Sequence, residues 1–260
     1  MRERNFRYIY GPIASWRLGI SLGIDLLSSK RKICDFDCIY CQLGKTLRYT
    51  KKPRIFVKTS EIIEELKRLP KIKIDYITFS GRGEPTLAKN LGQVIWAVKK
   101  LKIAPVAVLT NASLMYRKDI IKSLSFADSV IAKLDAYSQE SIESVNRPAK
   151  GITIGKIIQG IKQFRKEFKG KFALQIMFAK ENQEDAKRLA KLAREINPDE
   201  VQINTPLRPC KVKPLSKRDI AKIKEYFHKL NFISVYDARP KKVTPLSKKG
   251  ILKRRGKFSV

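Results

Sequence analysis

Three cysteines in one short loop are the residues of this sequence that point most directly to chemistry. Cys34, Cys38 and Cys41 stand in "ICDFDCIYCQLG", a Cys-x3-Cys-x2-Cys arrangement with Tyr40 directly before the last cysteine. Closely spaced thiolates bind metal ions or iron–sulfur clusters. A [4Fe-4S] cluster ordinarily takes four protein thiolates, so a loop that offers three would leave one iron open to another ligand. The loop therefore predicts a metal centre with a reactive position.

A structural zinc site is the alternative, and such sites take four protein ligands. The chain offers only one further cysteine, Cys210, and one histidine, His228, both far from the loop in sequence. Spacing and ligand number therefore favour a cluster over zinc. Since an isolated cysteine is commonly a small buried hydrophobic residue, we expect Cys210 to be inert, with contact to substrate or a late cluster ligand as alternatives. His228 lies in a predicted helix, where we expect a structural role.

Several segments together resemble the radical S-adenosylmethionine (radical SAM) enzymes. They are the cysteine loop, "YGPIASWRLGISLGIDLL" before it, "YITFSGRGEPTL", "VAVLTNASL", "AKLDA", "NRP" and "QINTPLRP". In that family S-adenosylmethionine chelates the open iron, and its reduction generates a 5'-deoxyadenosyl radical. The pattern over residues 8 to 210 is most similar to the branch that includes the wyosine-forming tRNA enzymes. The archaeal members of that branch carry an additional cysteine set that this chain lacks, which favours a related but distinct reaction.

The segment "SGRGEPT" has two features suited to a ligand site. Gly81 and Gly83 let a backbone approach a bound molecule closely, and Glu84 is a carboxylate fixed beside a proline. Taken alone, this segment is a turn. The family resemblance implies that it binds the amino group of S-adenosylmethionine, with Glu84 accepting from the cationic amine. Arg82 stands where many relatives carry glycine.

The resemblance implies further cofactor-binding residues in the other segments. Tyr40 belongs to the cysteine signature, and Asn111 and Asp135 carry groups suited to ribose hydroxyls or the methionine moiety. Arg147 is expected to pair with the cofactor carboxylate, and Asn204 to bind the adenine or ribose. Each also has a structural alternative. For Asn111 and Asp135 it is a hydrogen bond to backbone donors, for Arg147 a surface salt bridge, and for Asn204 a role in a turn.

Short β-branched runs alternate with amphipathic runs, which is the pattern of βα units around a parallel sheet. We predict an α/β fold, a partial (β/α)6 TIM-like barrel of parallel strands with outer helices, over residues 1–237. The predicted strands are Ser21 to Leu27, Tyr76 to Ser80, Val106 to Leu109, Ser129 to Leu134, Phe172 to Phe178 and Glu200 to Ile203. Active sites of such folds collect where strands end, and the polar segments fall there. Residues 238–260 have too few apolar positions for a core and are expected to form a basic tail, flexible or ordered by a partner.

The charge of the chain is its extreme compositional feature. Lys and Arg number 56 against 24 Asp and Glu, a net charge of +32. No acid occurs between Asp37 and Glu61, where six basic residues accumulate, and none follows Asp237. Because neutralised phosphates release counterions, such a surface favours a nucleic-acid partner, with tRNA preferred. A lysine-rich surface that serves only solubility or heat resistance is the alternative.

The remaining predictions concern location and partners. No signal peptide or membrane span is evident in the sequence, and an iron–sulfur cluster needs reducing conditions, so we expect a cytoplasmic protein. Radical chemistry implies an electron donor such as ferredoxin or flavodoxin. Two other functions remain open: a radical SAM enzyme that acts on a protein or peptide, and a non-enzymatic RNA-binding protein with a structural metal loop. The sequence predicts no oligomeric state.

Overall fold

Eight strands form one curled sheet in the computed structural model, which describes residues 6–239 and 241–255. The strands are β1 (Ile9–Ser15), β2 (Gly19–Ile24), β3 (Tyr76–Phe79), β4 (Val106–Thr110), β5 (Ser129–Lys133), β6 (Lys171–Met177), β7 (Glu200–Asn204) and β8 (Phe232–Ser234). Their order in the sheet is their order in the chain. β1 is antiparallel to β2, and every later pair of neighbours is parallel.

Helices follow most of the parallel strands and cover the outer face of the sheet. They are α1 (Thr59–Lys67), α2 (Leu91–Lys100), α3 (Lys118–Leu124), α4 (Gln139–Val145), α5 (Ile154–Glu167), α6 (Ala186–Ile196), α7 (Lys217–Glu225) and α8 (Lys248–Arg255). Each of α1 to α7 is amphipathic or carries buried apolar residues, so burial of one face holds it to the sheet. None of the described helices is long and apolar enough to cross a membrane.

The inside of the curled sheet is filled near the amino ends of its strands and open at the other end. Leu18, from the β1–β2 turn, packs with Ala107, Ile131 and Ala173 on β4, β5 and β6. These side chains close one end of the barrel. The loops that carry polar residues therefore surround an opening at the carboxyl ends of the strands, where βα folds build their sites.

The predicted α/β partial barrel is confirmed, and all six predicted strands are present within a few residues. The sequence did not predict β1, β8 or α4. Gly11 and Pro12 interrupt the apolar pattern of β1, β8 is only three residues long, and α4 is a seven-residue helix that begins after Ser138, whose hydroxyl accepts from Ser141 N. The structure thus adds an antiparallel hairpin at one edge of the sheet and a short parallel strand at the other.

The region predicted as a basic tail contains the helix α8, which packs on β1. Leu246 N donates to Gly11 O at 2.7 Å, and Ile251 and Arg254 are buried. These two buried side chains hold the helix to the barrel. Residue 240 and residues 256–260 of the predicted tail lie outside the described residues.

Candidate active site

The three loop cysteines line a cavity of about 300 Å³ at the carboxyl ends of the strands, here called the cysteine cavity. All three are free thiols; Cys34 is buried, while Cys38 and Cys41 are partly exposed. Within the described residues, no three His, Cys, Asp or Glu side chains converge closely enough to hold a single metal ion.

The segment after α4 holds the cysteine loop by backbone hydrogen bonds. Asp37 N donates to Asn146 O at 3.0 Å, Ile39 N to Val145 O at 3.0 Å, and Ala149 N to Asp35 O at 2.8 Å. The stretch from Asp35 to Ile39, which contains Cys38, is thereby hydrogen-bonded to residues 145–149. The "NRP" segment consequently acts as a backbone support for the cysteine loop.

The side chain of Asn146 continues this support into the cavity wall. Its Nδ2 lies 3.4 Å from Cys38 Sγ, 2.8 Å from the Tyr40 hydroxyl and 2.9 Å from Asp135 Oδ2. The Tyr40 hydroxyl donates to the same Asp135 carboxylate, which also accepts from Met177 N at 2.7 Å. One buried polar network thus fixes Tyr40 and Cys38, with Asp135 behind them and out of the cysteine cavity.

The predicted close approach at Gly81 and Gly83 is an approach between two loops of the protein. Ile33 N donates to Arg82 O at 2.9 Å, and Glu84 N donates to Ile33 O at 3.0 Å. Gly83 has φ +149°, and a Cβ there would lie 1.6 Å from Ile33 O. Only glycine fits this position. The "GRGE" segment therefore fixes the residue directly before Cys34 while still lining the cavity.

Glu84 is buried and already has four protein donors. Its Oε1 accepts from Thr86 N, Thr86 Oγ1 and Thr110 Oγ1 at 2.7 to 3.0 Å, and its Oε2 accepts from Asn111 N at 2.7 Å. Each carboxylate oxygen has about two acceptor sites. Since Oε2 accepts from Asn111 N alone, it can accept one more hydrogen bond. Burial, with a smaller contribution from Asp35, raises the pKa of Glu84 to about 7.

Asn111 lines the cysteine cavity, but the polar atoms of its side chain hydrogen-bond to other groups of the protein. Its Nδ2 donates to Asp35 Oδ1 at 2.7 Å and lies 3.9 Å from Cys34 Sγ, while its Oδ1 accepts from Ser113 N. Asp35 is fully buried and also accepts from the Ser113 hydroxyl. Asp35 was not among the predicted site residues, because a carboxylate next to a cysteine has no distinctive spacing of its own.

Two lysines face the thiols, and sequence analysis assigned a role to neither. The Lys32 side chain is 5% exposed and donates to Gly44 O at 3.2 Å, and Lys133 Nζ lies 4.6 Å from the centre of the Tyr40 ring. Burial raises the pKa of Cys38 to about 11 and that of Cys34 well above its usual range, and these ammonium groups act in the opposite direction. Three thiols, one buried and two partly exposed, beside two cations fit a negatively charged, thiolate-ligated cluster.

The other predicted site residues divide into two groups. Cys34, Cys38, Cys41, Tyr40, Gly81, Gly83, Glu84 and Asn111 all line the cysteine cavity. Arg147 is exposed and lines a small separate cleft on the outer side of the loop. Asn204 lines a neighbouring cavity beside Trp16.

Neither residue considered as a fourth zinc ligand lies in the cysteine cavity. The thiol of Cys210 donates to Val212 O at 3.1 Å and packs near Tyr40 and Val145. His228 is exposed and bonds to Glu225 O within its own helix region.

A sequence model of the Radical SAM superfamily matches residues 30–193, which include the cysteine loop, "GRGE" and the "NRP" segment. The chain belongs to the radical SAM superfamily. Enzymes of this superfamily use a [4Fe-4S] cluster and S-adenosylmethionine, so this radical SAM chain is an enzyme with these cofactors. The three thiols, the two facing lysines and the glycine-lined wall of the cysteine cavity fit a [4Fe-4S] cluster together with S-adenosylmethionine.

Two curated relatives are similar over most of this radical SAM chain. UPF0026 protein slr1464 of Synechocystis is 41% identical over 213 residues, which cover 82% of this chain and 79% of the relative. UPF0026 protein MJ1312 of Methanocaldococcus jannaschii is 35% identical over 231 residues, covering 85% and 71%. Neither name specifies a substrate. These relatives do not distinguish the wyosine-like branch from others.

The fold is also similar to that of Streptococcus suis SuiB, solved with the precursor peptide SuiA. The TM-score is 0.63 at 18% identity, and the superposition covers 84% of this chain. The chain spans about half of SuiB, since the match covers 49% of that protein. At this identity the similarity establishes the shared radical SAM fold and leaves the substrate open.

Proposed function

We propose that this radical SAM enzyme modifies RNA, with tRNA as the preferred substrate. The observation that carries the proposal is an exposed basic surface directly beside the cysteine loop, here called the basic ridge. Its cations, all exposed, are Lys45, Arg48, Lys51, Lys52, Arg54 and Lys58. They stand in a stretch without a single acid. An RNA bound on the ridge would lie next to the cavity that holds the chemistry.

Apolar and aromatic side chains interrupt the cations of the basic ridge. Leu47 is 74% exposed, Ile55 57% and Tyr49 42%. The exposed ring of Tyr49 between cations suits single-stranded RNA, because a base stacks on it while the cations neutralise phosphates. A surface that served only solubility would have no need to expose these large apolar groups. The composition of the basic ridge therefore supports an RNA-binding surface over a lysine-rich surface that serves only solubility.

The cofactor assignments are part of the same proposal. Cys34, Cys38 and Cys41 would hold the cluster, and Gly81, Gly83 and the free acceptor position of Glu84 would receive the amino group of S-adenosylmethionine. When bound, this pair supplies the one-electron cleavage that starts radical chemistry. The protein positions the thiols, excludes water and offers the Glu84 acceptor in a buried environment. Tyr40 and Asn111 shape the same cavity.

The remaining parts of the proposal concern the reaction, the electron donor, the compartment and the domain boundaries. The reaction is expected to be related to wyosine formation but distinct from it, with ferredoxin or flavodoxin as the electron donor, in the reducing cytoplasm. We assign residues 1–237 to the radical SAM partial barrel and residues 238–260 to a basic tail, whose described part includes α8. SuiB was solved with a peptide, so a peptide substrate is the competing outcome that the experiment must separate.

Binding of bulk tRNA to the reconstituted protein tests the RNA proposal. The triple variant Lys45→Gln, Arg48→Gln, Lys52→Gln should weaken binding and reduce the salt dependence of log K by roughly 2, because each phosphate contact contributes about 0.7 to 0.9 to that slope. The matched control removes three exposed lysines from the outer helices α3 and α6, Lys122, Lys187 and Lys191. Equal losses in both variants, or no tRNA binding by the wild type, would favour a non-RNA substrate.

A further inference from the structure

Lys32 carries a charged side chain that is buried beside the thiols. The side chain is only 5% exposed, although lysine is almost never buried unless it is paired. It lines the cysteine cavity together with all three loop cysteines. Burial lowers the pKa of Lys32, but the charges of Cys41 and Cys34 raise it by more, so the side chain is an ammonium group. A buried cation in this place needs a counter-charge, because an uncompensated charge in the interior destabilises the fold.

The position of Lys32 is fixed from both ends of the cysteine loop. Lys32 stands two residues before Cys34, and its Nζ donates to Gly44 O at 3.2 Å, in the turn that follows Cys41. Gly44 N in turn donates to Cys41 O at 3.0 Å. The side chain therefore bridges the two ends of the loop, and this bridge keeps the ammonium group at the wall of the cysteine cavity.

The carboxylate that pairs with Lys32 compensates its charge only in part. Asp37 Oδ1 lies 3.9 Å from Lys32 Nζ, which is too far for a hydrogen bond, and it already accepts from Thr46 N at 2.5 Å. An ammonium group has three N–H donors, and Gly44 O takes one of them. Lys32 therefore has both charge and hydrogen-bond donors available for a group that is bound on the cysteines.

Lys133, the other lysine that faces the thiols, is placed differently. Its Nζ lies 3.5 Å from Asp135 Oδ2 and 4.6 Å from the centre of the Tyr40 ring, and its side chain is 21% exposed. A closer carboxylate and an aromatic face therefore share the charge of Lys133. Lys32 is the more deeply buried of the two cations, and its carboxylate partner is farther away.

We infer that Lys32 is the internal counter-charge of the iron–sulfur cluster and raises its reduction potential. This inference rests on the proposed ligation by Cys34, Cys38 and Cys41 and on the proposed electron donor, ferredoxin or flavodoxin. On reduction one electron leaves the donor and enters the cluster, which gains one negative charge. A buried ammonium group stabilises the more negative form more strongly, and donation of N–H to sulfur acts in the same direction. Lys32 thereby makes the cluster easier to reduce.

The experiment is a potentiometric titration of the cluster-loaded protein without S-adenosylmethionine, followed by electron paramagnetic resonance of the reduced cluster. Lys32→Met keeps an unbranched side chain without the charge and should lower the midpoint potential by about 59 mV or more, a ten-fold change in the one-electron equilibrium constant. Lys32→Arg keeps the charge and should stay much closer to the wild type. Lys211→Met is the matched control, because Lys211 is exposed beside Cys38 and Cys41 on the outer side of the loop, where water and salt screen its charge.

The iron and sulfide content of each variant is measured before the titration. If Lys32→Met and a second variant, Lys32→Gln, both lose the cluster while Lys32→Arg and Lys211→Met retain it, cluster retention supports the counter-charge in place of the potential. The inference is overturned if Lys32→Met and Lys211→Met shift the potential equally, or if Lys32→Arg shifts it as far as Lys32→Met or loses the cluster as well. A wild type that assembles no four-iron cluster would instead refute the proposed cysteine ligation, so the two failures are distinguishable.

Discussion

Arg254 on the C-terminal helix and Asp25 at the end of β2 form a buried ion pair, with Nε to Oδ2 at 2.9 Å and both side chains 1% exposed. Asp25 also accepts from Leu27 N and Ser28 N in the segment that leads to the cysteine loop. Arg82 donates to Lys253 O at 2.6 Å and to Lys30 O at 2.7 Å. The helix α8 is therefore held both to the segment that leads to the cysteine loop and to the "GRGE" loop.

Loss of this ion pair should destabilise the whole chain. Arg254→Ala leaves the Asp25 carboxylate buried without its countercharge, and removal of one partner of such a pair costs roughly 3 to 5 kcal/mol. Lys162→Ala, at an exposed pair with Glu195, should change stability far less, because water screens this pair. Urea denaturation of both variants measures the difference. Similar losses in the two variants would show that the pair does not hold α8.

Gly83→Ala should disrupt the approach of "GRGE" to the cysteine loop. The new Cβ would clash with Ile33 O, so the segment before Cys34 must move. Gly44→Ala is the control, because Gly44 also has a positive φ, +80°, but has open space around it. We expect Gly44→Ala to cost about 1 kcal/mol and Gly83→Ala several times more, with loss of bound iron after reconstitution. Equal iron content in the two variants would contradict this account of Gly83.

Asn146 and Arg147 offer a direct comparison between neighbours. Asn146→Ala removes the amide beside Cys38 Sγ and the Tyr40 hydroxyl, so iron retention against a chelator should fall roughly ten-fold, as for other residues that support metal ligands. Arg147→Ala changes an exposed side chain outside the cysteine cavity and should retain iron like the wild type. If Arg147→Ala lost more iron than Asn146→Ala, the assigned roles would be reversed.

Glu84 should make the free energy of unfolding depend on pH. Burial raises its pKa from the ordinary 4.5 to about 7, so folding favours the neutral form. The stability that this group contributes is full below about pH 4.5 and is lost as pH rises toward 7, a change of up to roughly 3 kcal/mol. Glu84→Gln should remove this part of the decline, as read from urea denaturation at several pH values. Glu140→Gln, at an exposed helix position, should keep the wild-type slope; a Glu84→Gln profile parallel to the wild type would refute the assignment.

The sequence predicted the barrel well because strands and helices have strong local patterns. β3 to β7 are short apolar runs followed by amphipathic helices, and the cysteine spacing identifies the metal centre without any structure. β1 was not predicted, because Gly11 and Pro12 break its apolar pattern and the strand is held by pairing with β2. Helix α8 was missed because its sequence is mostly basic and its stability depends on a carboxylate more than 200 residues away.

Residue roles at the site were harder to predict than the fold. In "NRP" the arginine offers the more obvious ligand chemistry, yet the backbone turns at Arg147, which has φ +47°, and Asn146 reaches the thiol. Such contacts depend on tertiary geometry that spacing along one chain does not encode.

The central claim is tested most directly by anaerobic reconstitution with iron and sulfide, dithionite reduction and chromatographic detection of 5'-deoxyadenosine formed from S-adenosylmethionine. We predict that the wild type and Cys210→Ala form 5'-deoxyadenosine and that Cys38→Ala does not, with bulk tRNA increasing the yield of the wild type. A wild-type preparation with a verified four-iron cluster that forms no 5'-deoxyadenosine, or a Cys38→Ala variant that forms it normally, would contradict the assignment of the cysteine loop.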